Sequence, residues 1–235
     1  MNTERNADAA ELARFAELAP RWWDPEGESR PLHDLNPVRL EYVAARCRLQ
    51  GAQAVDVGCG GGLLAEALAA RGAQVTGIDL GSAVLEVARL HLLESGLAVD
   101  YREISAEAHA AEHPGRYDVL CCMEMLEHVP DPASVVAACA TLLKPGGQAF
   151  FSTLNRTPAA FAAAIVGAEY VLRWLPKGTH EWSKFVKPEE ACEALRAAGL
   201  ETTDLTGVSY NPILDVWRLT RDLDVNYMGF AVKGG

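Results

Sequence analysis

Asp56-Val57-Gly58-Cys59-Gly60-Gly61-Gly62 is the stretch that decides how this chain folds. A short apolar run, Ala54–Val57, delivers an acid and then spaced glycines into a helical pattern over Leu63–Ala70. Glycines at such a strand-to-helix turn let the backbone bend sharply and let a ligand approach the main chain. Outward from this turn, strand and helix patterns alternate. Strands are expected at Gln74–Ile78, Val99–Ile104, Tyr117–Cys122 and Gln148–Thr153, the last entered through a turn at Lys144-Pro145-Gly146-Gly147. Helices are expected at Ala83–Glu94, Pro132–Leu143 and Pro188–Ala198, and two further strands at Glu201–Val208 and Val225–Val232. This alternation predicts an α/β, Rossmann-like, mostly parallel seven-stranded sheet with helices on both faces.

The flanks read differently. Leu12, Phe15, Ala16 and Ala19 recur at helical spacing, and a second helix is expected from Val38 to about Cys47. Residues 1–50 therefore form a helical N-terminal cap, and residues 51–235 the main domain. Residues 156–187 interrupt the alternation as a helical insertion after the fifth strand. The chain has 235 residues and a net charge of −11, with no basic stripe, which argues against a nucleic-acid partner. Its six cysteines have no zinc-ligand spacing and read as reduced thiols of a cytoplasmic protein. No targeting peptide and no membrane-spanning run is expected.

Charge identifies the ligand of the glycine loop. A dinucleotide would set its anionic pyrophosphate at the helix N-terminus, where Asp56 repels it. The frame Gly60-x-Gly62-x-x-Ala65 fits the looser dinucleotide pattern only by ending the strand too early. S-adenosylmethionine carries a cationic sulfonium and an ammonium, and an acid beside the loop suits it. Asp79, at the end of the second strand, is placed to hold the ribose hydroxyls, and it can equally cap the helix that follows.

The fourth strand runs into Met123-Glu124-Met125-Leu126-Glu127-His128-Val129-Pro130-Asp131-Pro132. Ligands of open α/β sheets sit beyond the carboxyl ends of the strands, so this segment faces the reaction. On a helical turn, Glu124 would face both Glu127 and His128. Three readings stand side by side: a divalent ion such as Mg²⁺ held by Glu124, Glu127 and His128; His128 alone as the proton acceptor; or a purely structural turn.

The chain resembles the ubiquinone-biosynthesis O-methyltransferase family along almost its whole length. The glycine loop is shared with many methyltransferases. More distinctive are Arg21-Trp22-Trp23-Asp24, Pro31-Leu32-His33, Asn36-Pro37-Val38-Arg39-Leu40 and the Met123–Pro132 segment. Ser152-Thr153-Leu154-Asn155-Arg156, Gly167-Ala168-Glu169-Tyr170, Pro176-Lys177-Gly178-Thr179-His180, Tyr210-Asn211-Pro212 and Val225-Asn226-Tyr227-Met228 continue the likeness. The resemblance implies a class I methyltransferase fold and cofactor contacts at Arg39, Gly58, Asp79 and Met123. A bidentate pair from Arg39 to the methionine carboxylate is sound chemistry, although such a residue is often only a solvated helix charge. For metal binding, the likeness to mitochondrial relatives points to the residues at Glu124, Glu127 and His128.

The implied acceptors are polyprenylated phenols or quinols: 3-demethylubiquinol going to ubiquinol, and 2-polyprenyl-6-hydroxyphenol going to its 6-methoxy product. A lipid-tailed acceptor brings expectations of peripheral contact with the inner membrane surface and of a ubiquinone-biosynthesis complex. Residues 159–175 are apolar but interrupted by Glu169 and Arg173, which suits either an interfacial helix or a lid. Trp22 and Trp23 read either as walls of the acceptor pocket or as core. Two other functions compete: a methyltransferase of this fold with another acceptor, and a non-catalytic S-adenosylmethionine-binding subunit.

Overall fold

The computed structural model describes residues 6–162, 181–211, 214 and 216–235. The Gly167–Tyr170 and Pro176–His180 motifs and most of the 159–175 segment lie outside them. Eight strands form one sheet: β1 Gln53–Val57, β2 Gln74–Asp79, β3 Val99–Glu103, β4 Tyr117–Met123, β5 Leu143–Leu154, β6 Leu200–Asn211, β7 Val216–Thr220 and β8 Asn226–Lys233. Their order is β3-β2-β1-β4-β5-β8-β6-β7. The first five pair in parallel, whereas β8 runs antiparallel to β5 and β6, and β7 antiparallel to β6.

The expected seven strands are corrected to eight because β6 runs on to Asn211 and folds back as β7 at the sheet edge. Val216–Thr220 has no clean alternation of burial, so period-two patterning could not find it. The turn at Lys144–Gly147 falls within β5, where the pairing jumps from Tyr117↔Leu143 to Val119↔Gln148.

The helices are α1 Ala9–Leu18, α2 Arg30–Ala44, α3 Leu63–Ala70, α4 Ser82–Ser95, α5 Ala106–Glu112, α6 Pro132–Leu142, α7 Pro158–Ala160 and α8 Pro188–Ala197. Sequence patterning missed α5. Ser105 starts it, its side chain accepting from Ala108 N at 3.2 Å. Helix α2 begins eight residues earlier than expected, with Pro31 in its first turn and Pro37 inside it. The buried set Leu35, Arg39, Tyr42 and Val43 shows why it persists. One face packs continuously, and that outweighs the backbone donor lost at Pro37.

Two cores follow from the pleat. Ala54, Val75, Val119, Cys121 and Phe150 point to one face and meet Tyr42, Val43, Leu64, Leu68 and Leu85 from α2, α3 and α4. Val55, Val57, Ile78, Leu120, Cys122 and Phe151 point to the other and meet α5, α6 and α8 through Ala106, Ala110, Val136, Cys139 and Leu195. Successive strand residues serve opposite layers, as a strand buried on both faces requires. Strand order reverses between β1 and β4, and the crevice at that switch point is where an open α/β sheet binds its ligand.

Candidate active site

A cavity of about 940 Å³ opens at the carboxyl ends of β1, β2 and β4. Arg39, Gly58, Asp79, Met123, Glu124, Glu127 and His128 all line it. The fold therefore gathers every site residue expected from the sequence into one space.

The cofactor end is built by backbone bonds. Gly58 N and Cys59 N both donate to the Ile78 carbonyl, at 2.9 and 3.1 Å, and this ties the loop to the end of β2. Asp79 then holds both turns: its carboxylate accepts from Gly60 N at 2.9 Å and Gly81 N at 2.7 Å. Gly81 is the cap residue of α4, so the capping reading of Asp79 and its place in the cavity coexist. Burial pushes the Asp79 carboxyl up, and the backbone donors of Gly81, Gly60 and Leu80 restrain the rise. Asp56 lies beneath the loop, 3% exposed, and is pushed up to about 7 by burial, with Arg39 opposing and Asp79 adding to the rise.

The glycines serve the protein more than the ligand. A Cβ on Gly60 would sit 2.5 Å from Trp22 Cζ2, and one on Gly61 would sit 2.3 Å from Trp22 Cδ1. The indole lies against the loop backbone, lines the cavity and closes its wall. Trp23 donates from its indole to Gly61 O at 2.9 Å and stacks on His91, centroids 3.4 Å apart. Only Gly58, with φ +71°, has its missing Cβ turned toward the catalytic segment, where it would meet Met125 Cγ at 2.5 Å. Adding a methyl at Gly61 is expected to dislodge Trp22. Gly61→Ala should lose about 1–3 kcal/mol of stability, the usual cost of overpacking, and quench or shift the Trp22 emission. Urea unfolding followed by fluorescence reads both, and an unchanged midpoint would refute the packing role.

Arg39 is 6% exposed, and its Nε and Nη2 have no hydrogen-bond partner among the described residues. Its nearest anion is Glu124, whose Oε1 is 3.4 Å from Nη2. A buried guanidinium with donors to spare, on the wall of a cavity beside a glycine loop, fits the carboxylate end of S-adenosylmethionine.

At the catalytic end the expected helical turn does not form. Glu124 has φ +52°, a left-handed backbone rare outside glycine, and the 3-10 turn begins only at Leu126. Glu124 N donates to Ser152 O at 3.0 Å, and Ser152 Oγ donates to Glu124 Oε1 at 2.6 Å. Glu127 is 3% exposed, accepts from Thr153 Oγ1 at 2.8 Å, and leaves its other oxygen unpartnered. Burial pushes its carboxyl up to about 7, with the charge of Glu124 adding to the rise. His128 Nδ1 lies 3.1 Å from Glu11 Oε2, and its ring meets Phe15 edge-on, so α1 closes the cavity over it. Burial lowers the imidazolium's pKa, but the Glu11 hydrogen bond and the charges of Glu127, Glu11 and Glu124 outweigh it and hold it above its ordinary value.

Glu124, Glu127 and His128 thus turn to Ser152 with Arg39, to Thr153, and to Glu11 respectively. Among the described residues, no group of three or more His, Cys, Asp or Glu side chains is disposed to hold a metal ion. As placed, these three do not fit a divalent cation, since Glu124 is engaged by a guanidinium and His128 by a carboxylate. Sequence reasoning missed Glu11, because a lone acid on an amphipathic helix gives no signal until the helix is docked. It did not single out Asn36 or Trp217 as site residues either; each lines the cavity with a buried polar atom that has no hydrogen-bond partner among the described residues.

The comparisons agree with this geometry. The model of the family described as "Methyltransferase domain" matches residues 31–205. Among solved structures, a magnesium protoporphyrin IX methyltransferase from Synechocystis PCC 6803 with bound SAH superposes with a TM-score of 0.63 at 20% identity, covering 86% of this chain and 83% of that one. A SAM-dependent methyltransferase from Thermotoga maritima superposes with a TM-score of 0.65 at 16% identity, covering 95% and 99%. At those identities the likeness concerns the fold alone. Fold, glycine loop and family model together define a class I S-adenosylmethionine-dependent methyltransferase.

Sequence relatives narrow the class. The chain is 61% identical to the ubiquinone biosynthesis O-methyltransferase of Thiobacillus denitrificans, covering 95% of this chain and 96% of the relative. It is 61% identical to that of Marinobacter nauticus, over 98% of each, and 59% identical to that of an Azoarcus strain over the full length of both. The chain belongs to the ubiquinone biosynthesis O-methyltransferase family.

Proposed function

We propose that this enzyme methylates phenolic hydroxyls of polyprenylated catechol and quinol intermediates, converting 3-demethylubiquinol to ubiquinol and 2-polyprenyl-6-hydroxyphenol to 2-polyprenyl-6-methoxyphenol. The observation that carries the reading is a single cavity of about 940 Å³ with a buried guanidinium, glycine loop and ribose acid at one end and His128 at the other. Bound S-adenosylmethionine supplies an electrophilic methyl group, and the difficult chemistry belongs to it. Arg39, Gly58, Asp79 and Met123 hold and orient the cofactor. The β5–β8–β6–β7 half of the crevice, with Leu154, Val208, Tyr210 and Trp217 on its wall, receives the acceptor's aromatic head. His128 takes the phenolic proton, with Glu11 positioning the ring, and no step is assigned to a metal.

Residues 6–50 act as a cap: α1 brings Glu11 and Phe15 over His128, and Trp22 seals the loop. Exclusion of water and fixed geometry are the protein's contribution to rate. Direct assay settles the acceptor: turnover with a polyprenylated catechol should exceed that with a soluble catechol by at least about tenfold in kcat/KM, since each buried methylene adds to binding. Equal turnover would favour a methyltransferase with a different acceptor.

The tail also motivates a place of action at the inner membrane surface. No described helix is long and apolar enough to cross a membrane. Phe161 and Trp182 are exposed at 44% and 41%, on either side of residues 163–180. Phe161→Glu together with Ile165→Glu is expected to abolish co-sedimentation with anionic liposomes while activity on a soluble catechol is kept. Unchanged co-sedimentation would dispose of the membrane contact.

A further inference from the structure

Among the buried polar atoms with no hydrogen-bond partner in the described residues, those of Asn36 and Arg39 stand together. The two residues are three apart on α2 and so share one helix face. Both line the cavity beside Gly58, Cys59 and Gly60. Asn36 Nδ2 donates to the Leu63 carbonyl at 2.9 Å, at the start of α3 directly after the glycine loop. That bond settles the orientation of the amide, because only the nitrogen can donate to a carbonyl. The other end of the amide is therefore Oδ1, an acceptor, and it is buried with no partner. Arg39 presents the opposite polarity: its Nε and Nη2 are buried donors with no hydrogen-bond partner among the described residues, Nη2 lying 3.4 Å from Glu124 Oε1 as an ion pair.

An acceptor and a set of cationic donors on one wall match a zwitterion, not a simple anion or cation. S-adenosylmethionine ends in a zwitterion, with a carboxylate that needs donors and an ammonium that needs acceptors. We propose that Asn36 Oδ1 accepts from the ammonium of the cofactor's amino-acid end while Arg39 donates to its carboxylate, so that α2 reads both charges of that end. This assignment rests on the reading of the cavity as the cofactor site. The Leu63 bond gives it a structural logic. It locks Asn36 to the loop that cradles the cofactor, so the acceptor stays fixed although α2 lies ahead of the sheet in the chain. Asp56 and Glu124 are the competing acceptors for an ammonium; both already face Arg39.

Calorimetry with three probes tests the assignment: S-adenosylhomocysteine, its deaminated analogue that keeps the carboxylate, and 5′-methylthioadenosine, which lacks the amino-acid end. Asn36→Ala is expected to weaken S-adenosylhomocysteine by about tenfold, the value of one hydrogen bond to a charged group. The other two probes should change by less than about twofold, which also reports that the variant keeps a folded adenosine site. Arg39→Ala should weaken the homocysteine compound and the deaminated analogue together, and spare 5′-methylthioadenosine. Equal loss of S-adenosylhomocysteine and the deaminated analogue in Asn36→Ala would overturn the assignment, as would no loss at all. Wild-type protein that binds none of the three would instead overturn the cofactor reading on which it rests.

Discussion

His128→Asn is expected to lower kcat by about 10²–10⁴-fold, the usual contribution of a positioned proton acceptor, while the affinity for S-adenosylhomocysteine stays within about twofold. Asparagine is the informative replacement because its amide can still donate to Glu11, 3.1 Å from the imidazole in the native chain. The polar tie from α1 is then kept while the basic nitrogen is lost. Both asparagine and alanine give up the ring's edge contact with Phe15, but alanine also removes the donor to Glu11 and would confound chemistry further with loss of the tie to α1. The pH profile gives a second readout. The Glu11 bond and neighbouring acids hold the imidazolium above its ordinary value, and proton acceptance needs the neutral ring. In the native enzyme kcat should therefore rise with pH through a value above about 6.5, the free imidazole figure, and that limb should vanish in His128→Asn. Full activity in the variant would remove His128 from the chemistry and point instead to Glu127, whose Oε1 has no hydrogen-bond partner among the described residues.

Asp79→Ala should weaken S-adenosylhomocysteine by about 10²–10³-fold, from the loss of charge-assisted hydrogen bonds worth about 1.5–3 kcal/mol each. Here ligand and loop are lost together. The carboxylate that faces the cavity also accepts from Gly60 N and Gly81 N. Its removal leaves both backbone donors unsatisfied, at a cost of about 2–4 kcal/mol in stability. Asp79→Asn separates the two roles: its Oδ1 can still serve one backbone donor, so stability should recover more than affinity does. Thermal unfolding alongside calorimetry reads both. If affinity survives in Asp79→Ala, the acid is only a turn-former.

Both predictions concern residues that the sequence singles out, and the structure shows why. Gly58 and Asp79 follow and end the two parallel strands of one strand-helix-strand unit, β1-α3-β2, and the pairing of those strands brings them together. Met123 and His128 follow a strand whose end must face the crevice. Cys121 and Cys122, adjacent in β4, serve opposite core layers, as the alternation of a strand requires. What depended on distance along the chain was hidden. Glu11 meets His128 across 117 residues, and Trp22 meets Gly60 and Gly61 from a segment whose two indoles read equally as pocket or core.

The sequence by itself determined the alternating sheet, the cofactor class and the residues at the strand ends, because those follow from short-range periodicity, glycine geometry and the sign of one buried charge. Tertiary structure alone decided the eighth strand, the left-handed turn at Glu124 that turns its carboxylate to Ser152 and Arg39, and the docking of α1 onto His128. Each of these depends on what packs against the segment. Individual hydrogen bonds and contacts between distant elements leave no periodic trace in the chain that carries them.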